Sequence, residues 1–443
     1  MTSRSRPRLT AAAWTDIPRA GRLRPAAVAA VLALLVALAG CGGGDDQADQ
    51  PVGSSRISTA DARAQEQRIL AQRARAVRDH DLGLFLRRVD HKDAALMARQ
   101  RRYFRNLVQL PLARFSYQVT SEQWPGLAMA KSWGEDVSVP EVTLTMQLRE
   151  FDAVPVKRTV GFVFSFRDGR ATLVSDRTST GKPLFRGNQA PWDLTAISVV
   201  EEPGVLGIFD RRTRGSAATV MAVVRDGIDQ LDRALPFSWS GRVVVYSVED
   251  PRVLRSFRDV PGGAIDHLGA MTFPTYAEGE RSQVASTRML LMPSSVRAGQ
   301  PFLGRITRHE LSHVAIGVRD DGAPTWVSEG IAEYLGAREV PQRERIIPTS
   351  ALQRARTVDA TMPVSKGFND SDQEWHYALS WMAFDYIADT FGEARMWELI
   401  DAMHNGGQGT SDVDQDRVLD QVLGFDSHEL ARRAAARIRN IYG

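Results

Sequence analysis

A single cysteine, Cys41, stands in a chain of 443 residues, so no disulfide can form within it. Whatever the chain folds into must be held by buried apolar surface and by any metal it binds. The material for a core is present. Hydrophobic residues make up 43% and charged residues 25%, values of an ordinary globular protein rather than a disordered one. The length suffices for two or three domains. Charge is unevenly spread: residues 1–40 carry six arginines and one acid, Asp16, a net of +5. The whole chain has only +3, so about −2 remains for everything after the leader. The basicity belongs to the leader, and nucleic-acid binding has no support.

Behind those arginines lies an uncharged apolar run, residues 26–39. A bilayer span needs about 20 residues, so the run fits a signal-peptide core instead. It ends in Leu38-Ala39-Gly40-Cys41. This resembles a bacterial lipobox, in which the cysteine is acylated and becomes the new N-terminus. The resemblance implies a lipoprotein signal peptide over residues 1–40, lipidation of Cys41, and an extracytoplasmic protein lipid-anchored to the cell membrane. Gly42-Gly43-Gly44-Asp45-Asp46 opens a flexible tether over 41–55. No paired arginines precede the apolar run, which favours the general secretory route.

Residues 56–90 have helical texture, with Ile69, Leu70, Ala74, Val77, Phe85 and Val89 mostly three or four apart. A second helix is expected around 94–108. Val142, Leu144, Met146 and Leu148 then alternate with polar residues, the period of a half-buried strand. Val160, Phe162, Phe164 and Phe166 repeat the pattern, and Asp168-Gly169 marks a hairpin turn. Helices followed by an antiparallel meander resemble the NTF2-like fold over residues 56–190. Residues 187–191 read as a linker. A helix is expected next over 216–235, then buried strands over 243–246 and 287–292. Beyond Pro341 the chain turns almost wholly helical, with helices expected at 374–390, 393–404, 412–423 and 427–441.

Between those strands and helices stands His309-Glu310-Leu311-Ser312-His313. Residues four apart share one face of a helix, so both imidazoles can reach one ion. Zinc suits neutral imidazole, wants a third protein ligand, and in catalytic sites keeps one position for water. Glu310 can stand over that water as general base.

A second motif, downstream of His313, indicates the third ligand. Pro324-Thr325-Trp326-Val327-Ser328-Glu329-Gly330-Ile331-Ala332-Glu333-Tyr334 resembles the second signature of the gluzincin zinc metallopeptidases, through Trp326, Glu329-Gly330, Ala332 and Tyr334. The resemblance makes Glu329 the third ligand and places Glu333 where a carboxylate receives the free N–H of a ligating histidine. Fifteen residues separate His313 from Glu329, fewer than in the thermolysin-like group, and Glu333 fits that longer spacing by length alone. Gly269-Ala270-Met271 resembles the start of the substrate-binding Gly-Ala-Met-Glu-Asn segment of one-residue-at-a-time aminopeptidases. Thr272 and Phe273 replace its last two residues. The missing amine-binding glutamate points to an endopeptidase. The strand over 287–292 is the expected edge for an extended peptide. Downstream, Tyr377 and the glycine fifteen residues later resemble the gluzincin segment that supplies an oxyanion-stabilising tyrosine, with His376 as the second choice.

The fold expected is therefore α+β: an NTF2-like domain over 56–190, then a zincin-type catalytic domain. The latter comprises an α/β lobe over 196–345 carrying the His-Glu-x-x-His helix, and a helical lobe over 346–443. Two functions are compatible with these features. One is a zinc peptidase using one Zn2+ per chain, hydrolysing a peptide or protein substrate with a zinc-bound water and Glu310 as base. The other is a non-catalytic binding lipoprotein whose zinc site is structural or vestigial. Glu310 separates them, because a structural site needs ligands but no base. Asp320-Asp321-Gly322 reads as a solvated turn.

Overall fold

The computed structural model describes residues 57–121, 123–124, 131–257, 265, 268–279, 282–404 and 412–443. The expected signal peptide, Cys41 and the tether lie outside the described residues. The chain enters on α1 (Thr59–Arg78), whose first turn is capped by Ser58 accepting from the Asp61 amide. Its face of Ile69, Leu70, Ala74 and Val77 is buried. Helix does not continue to residue 90 as the periodicity suggests. His80 takes a left-handed φ of 54°, and Asp81 then caps a separate α2 (Leu82–Leu86). Asp93 caps α3 (Ala94–Leu107).

Six strands come next: β1 (Leu112–Ser121), β2 (Val137–Ser138), β3 (Glu141–Leu148), β4 (Val156–Gly161), β5 (Val163–Arg167) and β6 (Arg170–Ser175). They form two antiparallel three-stranded sheets, ordered β1-β3-β4 and β2-β5-β6. In β3 every second residue is buried, as the alternation predicts. The Val160–Phe166 pattern is not one strand. It passes from β4 to β5, and so from one sheet to the other, at Gly161. A Cβ on Gly161 would lie 2.7 Å from the Trp124 ring and 2.9 Å from the Leu184 side chain, so only glycine lets the chain cross there.

The expected linker leads into a pinned segment. Past α4 (Pro191–Leu194), the Asn106 side chain donates to the carbonyls of Trp192 (2.8 Å) and Thr195 (2.6 Å) and accepts from the Ile197 amide (3.1 Å). Next come β7 (Ile197–Glu202), β8 (Val205–Asp210), α5 (Ala217–Ala234), β9 (Val243–Ser247), α6 (Pro251–Leu254), β10 (Ala270–Tyr276) and β11 (Val284–Leu291). Their sheet is ordered β10-β11-β9-β8-β7, with β8, β9 and β11 parallel and the two outer strands antiparallel. The strand expected at the edge, β11, is therefore interior. The hairpin folds β10 onto its outer side, and β10 is the edge.

The rest is helical: α7 (Pro293–Ala298), α8 (Phe302–Ile316), α9 (Thr325–Arg338), α10 (Thr349–Thr357), α11 (Gln373–Phe391), α12 (Glu393–Met403), α13 (Asp412–Leu423) and α14 (Ser427–Tyr442). Helix α8 lies between the sheet and α9, and α9 packs in turn on α11. Both contacts exploit missing side chains. A Cβ on Gly336 of α9 would meet the Arg305 carbonyl at 3.0 Å, and one on Gly330 the Ser380 carbonyl of α11 at 2.7 Å. One apolar core runs from α1 to α14. Among the described residues, no helix is long and apolar enough to cross a membrane.

Candidate metal centre

Helix α8 runs without interruption to Gly317, whose φ of 58° ends it. That length is enough to carry His309, Glu310 and His313 on consecutive turns. The two imidazoles face one side, their Nε2 atoms 3.3 Å apart. Helix α9 crosses that face and brings Glu329, whose Oε2 lies 3.3 Å from His309 Nε2 and 3.6 Å from His313 Nε2. Ligand atoms around a tetrahedral ion, each roughly 2.0–2.2 Å from it, stand about 3.4 Å from one another. The three spacings here match that figure, so these side chains fit a tetrahedral ion with one corner left over. All three residues are almost wholly buried, an expensive place for ionisable groups that hold nothing.

The electrostatics reflect that crowding. Burial opposes charge on His309, yet Glu329 and Glu333 on either side raise it to about 10. Burial likewise works against ionised Glu329, but His313 and His309 outweigh it and hold the carboxyl down. His309 Nδ1 faces Glu333 Oε1 at 3.4 Å. Glu333 is held in turn by the Arg305 guanidinium, which lies over the Trp381 ring at 4.4 Å. Arg305 and His309 overcome the cost of burial and keep Glu333 down at about 2. A carboxylate there fixes the Nδ1–H tautomer and leaves Nε2 free to ligate.

Glu310 differs from its neighbours. It is fully buried, with the Thr272 side chain and the two histidines for polar neighbours. Burial pushes its carboxyl up, against the pull of both histidines. The helix presents it towards the edge strand, where Thr272 Oγ1 donates to the Glu310 main-chain carbonyl at 3.1 Å. Gly269, Ala270 and Met271 lie at the start of this same strand. The Gly269 carbonyl accepts from the Met292 amide and from Ser295 Oγ, and the Ala270 and Met271 side chains are buried. Any peptide contact from this segment would be made by main chain.

No protein-family model matches the chain, and no curated protein matches it. Among solved structures it is similar to the M1 zinc metallopeptidase from Deinococcus radiodurans. A mutant of that protein bound to a Tyr-Ser-Ala substrate shares 14% identity, over 68% of this chain and 90% of that one, with a TM-score of 0.29. The metallopeptidase itself shares 12%, over 75% and 96%, again at 0.29.

Of the two candidates on α11, Tyr377 lies beside the His309–His313–Glu329 group and His376 is directed elsewhere. The Tyr377 ring centre lies 6.5 Å from that of His309, and its hydroxyl donates to Asn369 Oδ1 at 3.1 Å. His376 stacks on Phe368 and donates from Nδ1 to the Phe368 carbonyl at 2.8 Å. It also groups with Asp370 and Asp372 in a second cluster of possible ligands. That cluster is better read as the turn before α11, because Asp370 accepts from the Asp372 amide and Asp372 pairs with Arg354. One residue near the site is not signalled by the sequence. Asp320, expected in a solvated turn, is half-buried near His313, and leaving water raises its carboxyl. Nothing in the run Asp320-Asp321-Gly322 distinguishes an acid turned inward from one turned outward.

Proposed function

We propose that this chain is a zinc-dependent endopeptidase with His309, His313 and Glu329 as ligands of one zinc ion. The observation that carries the reading is the fully buried carboxylate of Glu310 beside three convergent ligand atoms. A purely structural site would need the three and gain nothing from the fourth. Zinc held there supplies Lewis acidity, polarising a carbonyl and lowering the pKa of water towards about 7. Glu310 takes the proton from the attacking water and passes it to the leaving amine. Tyr377 turns its hydroxyl from Asn369 to the oxygen that gains charge. Glu333 orients His309. The edge strand β10 pairs with an extended peptide. Beside the site lies a cavity of about 130 Å³, lined by Phe302, Val340, Ile347 and Trp381 together with Arg305, Glu333, Glu344 and Glu374 and touched by Tyr377. With Thr272 and Phe273 where an amine-binding glutamate would stand, the substrate needs no free N-terminus.

We further propose that the N-terminal half is an NTF2-like domain, and that a lipid on Cys41 holds the protein to the outer face of the cell membrane. Cys41→Ser, expressed with its leader, should move the protein from the membrane fraction to the soluble one. An unchanged distribution would rule out the anchor.

The test is metal content and turnover of soluble protein beginning near Ser55, purified without chelators, beside Glu329→Gln and Glu310→Gln. About one zinc per parent chain is expected, lost or much weakened in Glu329→Gln. Glu310→Gln should keep its zinc and lose hydrolysis. Absence of zinc after supplementation would favour a non-catalytic binding lipoprotein, and a Glu310→Gln protein as active as the parent would overturn the mechanism.

A further inference from the structure

The turn between β3 and β4 does more than join two strands. Glu150 adopts φ 69°, and Asp152 folds back so that its Oδ2 accepts from the Leu148 amide at 2.8 Å. This leaves Asp152 Oδ1 facing the second half of the chain. There it accepts from Ser286 Oγ at 2.8 Å and from Arg288 Nη2 at 2.9 Å, both on β11. The ion pair is buried, with side-chain exposures of 5% for Arg288 and 1% for Asp152. Arg288 Nη1 also donates to the Tyr246 hydroxyl on β9 at 2.6 Å. Two main-chain bonds flank the pair. The Ala153 amide donates to the Ala285 carbonyl at 2.8 Å, and the Lys157 amide to the Ala277 carbonyl at 2.7 Å. The N-terminal half thus grips the β10–β11 hairpin along β11 and at Ala277, the first residue past β10.

What the hairpin carries gives this grip a consequence. Arg288 is in register with Phe273 on β10, and the residue before Phe273 is Thr272, which bonds the Glu310 carbonyl. We infer that the N-terminal half braces the peptide-binding edge, with Asp152 and Arg288 as positioning residues that set β10 against the Glu310 helix. The inference rests on the peptidase reading. An edge strand has neighbours on one side only, so its position is set by β11 and by whatever holds the hairpin. A buried ion pair with satisfied hydrogen bonds fixes one geometry and tolerates no sliding.

The experiment compares parent, Asp152→Ala and the double variant Asp152→Leu/Arg288→Met. The double variant replaces the pair with apolar side chains and so avoids an unpaired buried charge. Hydrogen exchange is followed at residues 270–277, together with zinc content. Kinetics are read on a long internally quenched peptide that the parent cleaves and on the short core of that peptide. Expected in both variants are faster exchange at 270–277, full zinc, unchanged kcat on the short core and a KM for the long peptide raised about tenfold. Unchanged exchange overturns the inference. So does an equal loss of kcat on both peptides together with zinc, which would mark the pair as merely structural. Exchange and zinc content need no turnover, so a parent inactive on every peptide would defeat the peptidase reading while the exchange still decides the brace.

Discussion

His309 stands between two carboxylates, so a proton and a metal ion compete for the same lone pair. Its ordinary value is 6.5, and in the metal-free site it is raised to about 10. At about pH 8 the imidazole is therefore charged, and a metal must eject a proton to bind. The sign is fixed: apparent zinc affinity rises with pH and levels off only as the solution passes the raised value. Calorimetry near pH 8 in two buffers with different heats of ionisation should find at least one proton released per zinc. No release would mean that His309 is neutral in the metal-free protein and that its two acids do not act on it as described. The neighbouring Arg305–Glu333 ion pair acts the other way, through the orientation of the His309 ring. Glu333→Ala removes the group that holds the Nδ1–H of His309, and zinc affinity should fall about 10- to 100-fold by competition with a chromophoric chelator. Unchanged affinity would assign Glu333 to helix packing alone.

Among the elements, α9 shows how a sequence pattern and a packing requirement coincide. Gly330 comes directly after Glu329, the proposed third ligand, and a Cβ on it would meet the Ser380 carbonyl at 2.7 Å and the Phe384 ring at 2.6 Å. Backbone cannot give way as a flexible side chain can, so Gly330→Ala must push α9 from α11. A loss of about 1–3 kcal/mol is expected in urea unfolding, with weaker zinc binding because Glu329 moves with the helix. A variant as stable as the parent would show that the two helices have slack. The shared face of His309 and His313 on α8 was legible because four-residue spacing on a helix is a local property, whereas Glu329 on α9 rested on a resemblance. Alternation made β3 legible for the same reason. β8 was not foreseen, since all six of its residues are buried and no polar alternation marks it. The edge was assigned to β11 instead of β10 because sheet order is set by pairing between distant segments. Asp320 reads as solvated because an acid in a turn looks alike whichever way it faces.

For the molecule as a whole, the question is whether its two halves are independent bodies on a string. The contacts between them argue otherwise. Trp192 packs edge-on to Tyr246 at 6.1 Å, Arg158 pairs with Asp193 at 2.6 Å, and the Asn106 amide pins the segment that a flexible linker would occupy. Each group is buried or nearly so, and separating the halves would leave Arg288 and Asp152 without each other. Breaking a buried pair in that way costs roughly 3–5 kcal/mol. The two halves should therefore unfold together. A metal at the α8–α9 crossing then stabilises residues far from it, because anything that binds only the folded state raises the whole transition, by about 2.7 kcal/mol at a hundredfold excess over Kd. Pulsed hydrogen exchange along a urea series can follow α3 in one half and α11 in the other. Both should lose protection at one urea concentration, and a chelator should shift both downwards together. If α11 melted on chelation while α3 kept its midpoint, the halves would be separate folding units, and the grip on the β10–β11 hairpin would be too weak to position anything.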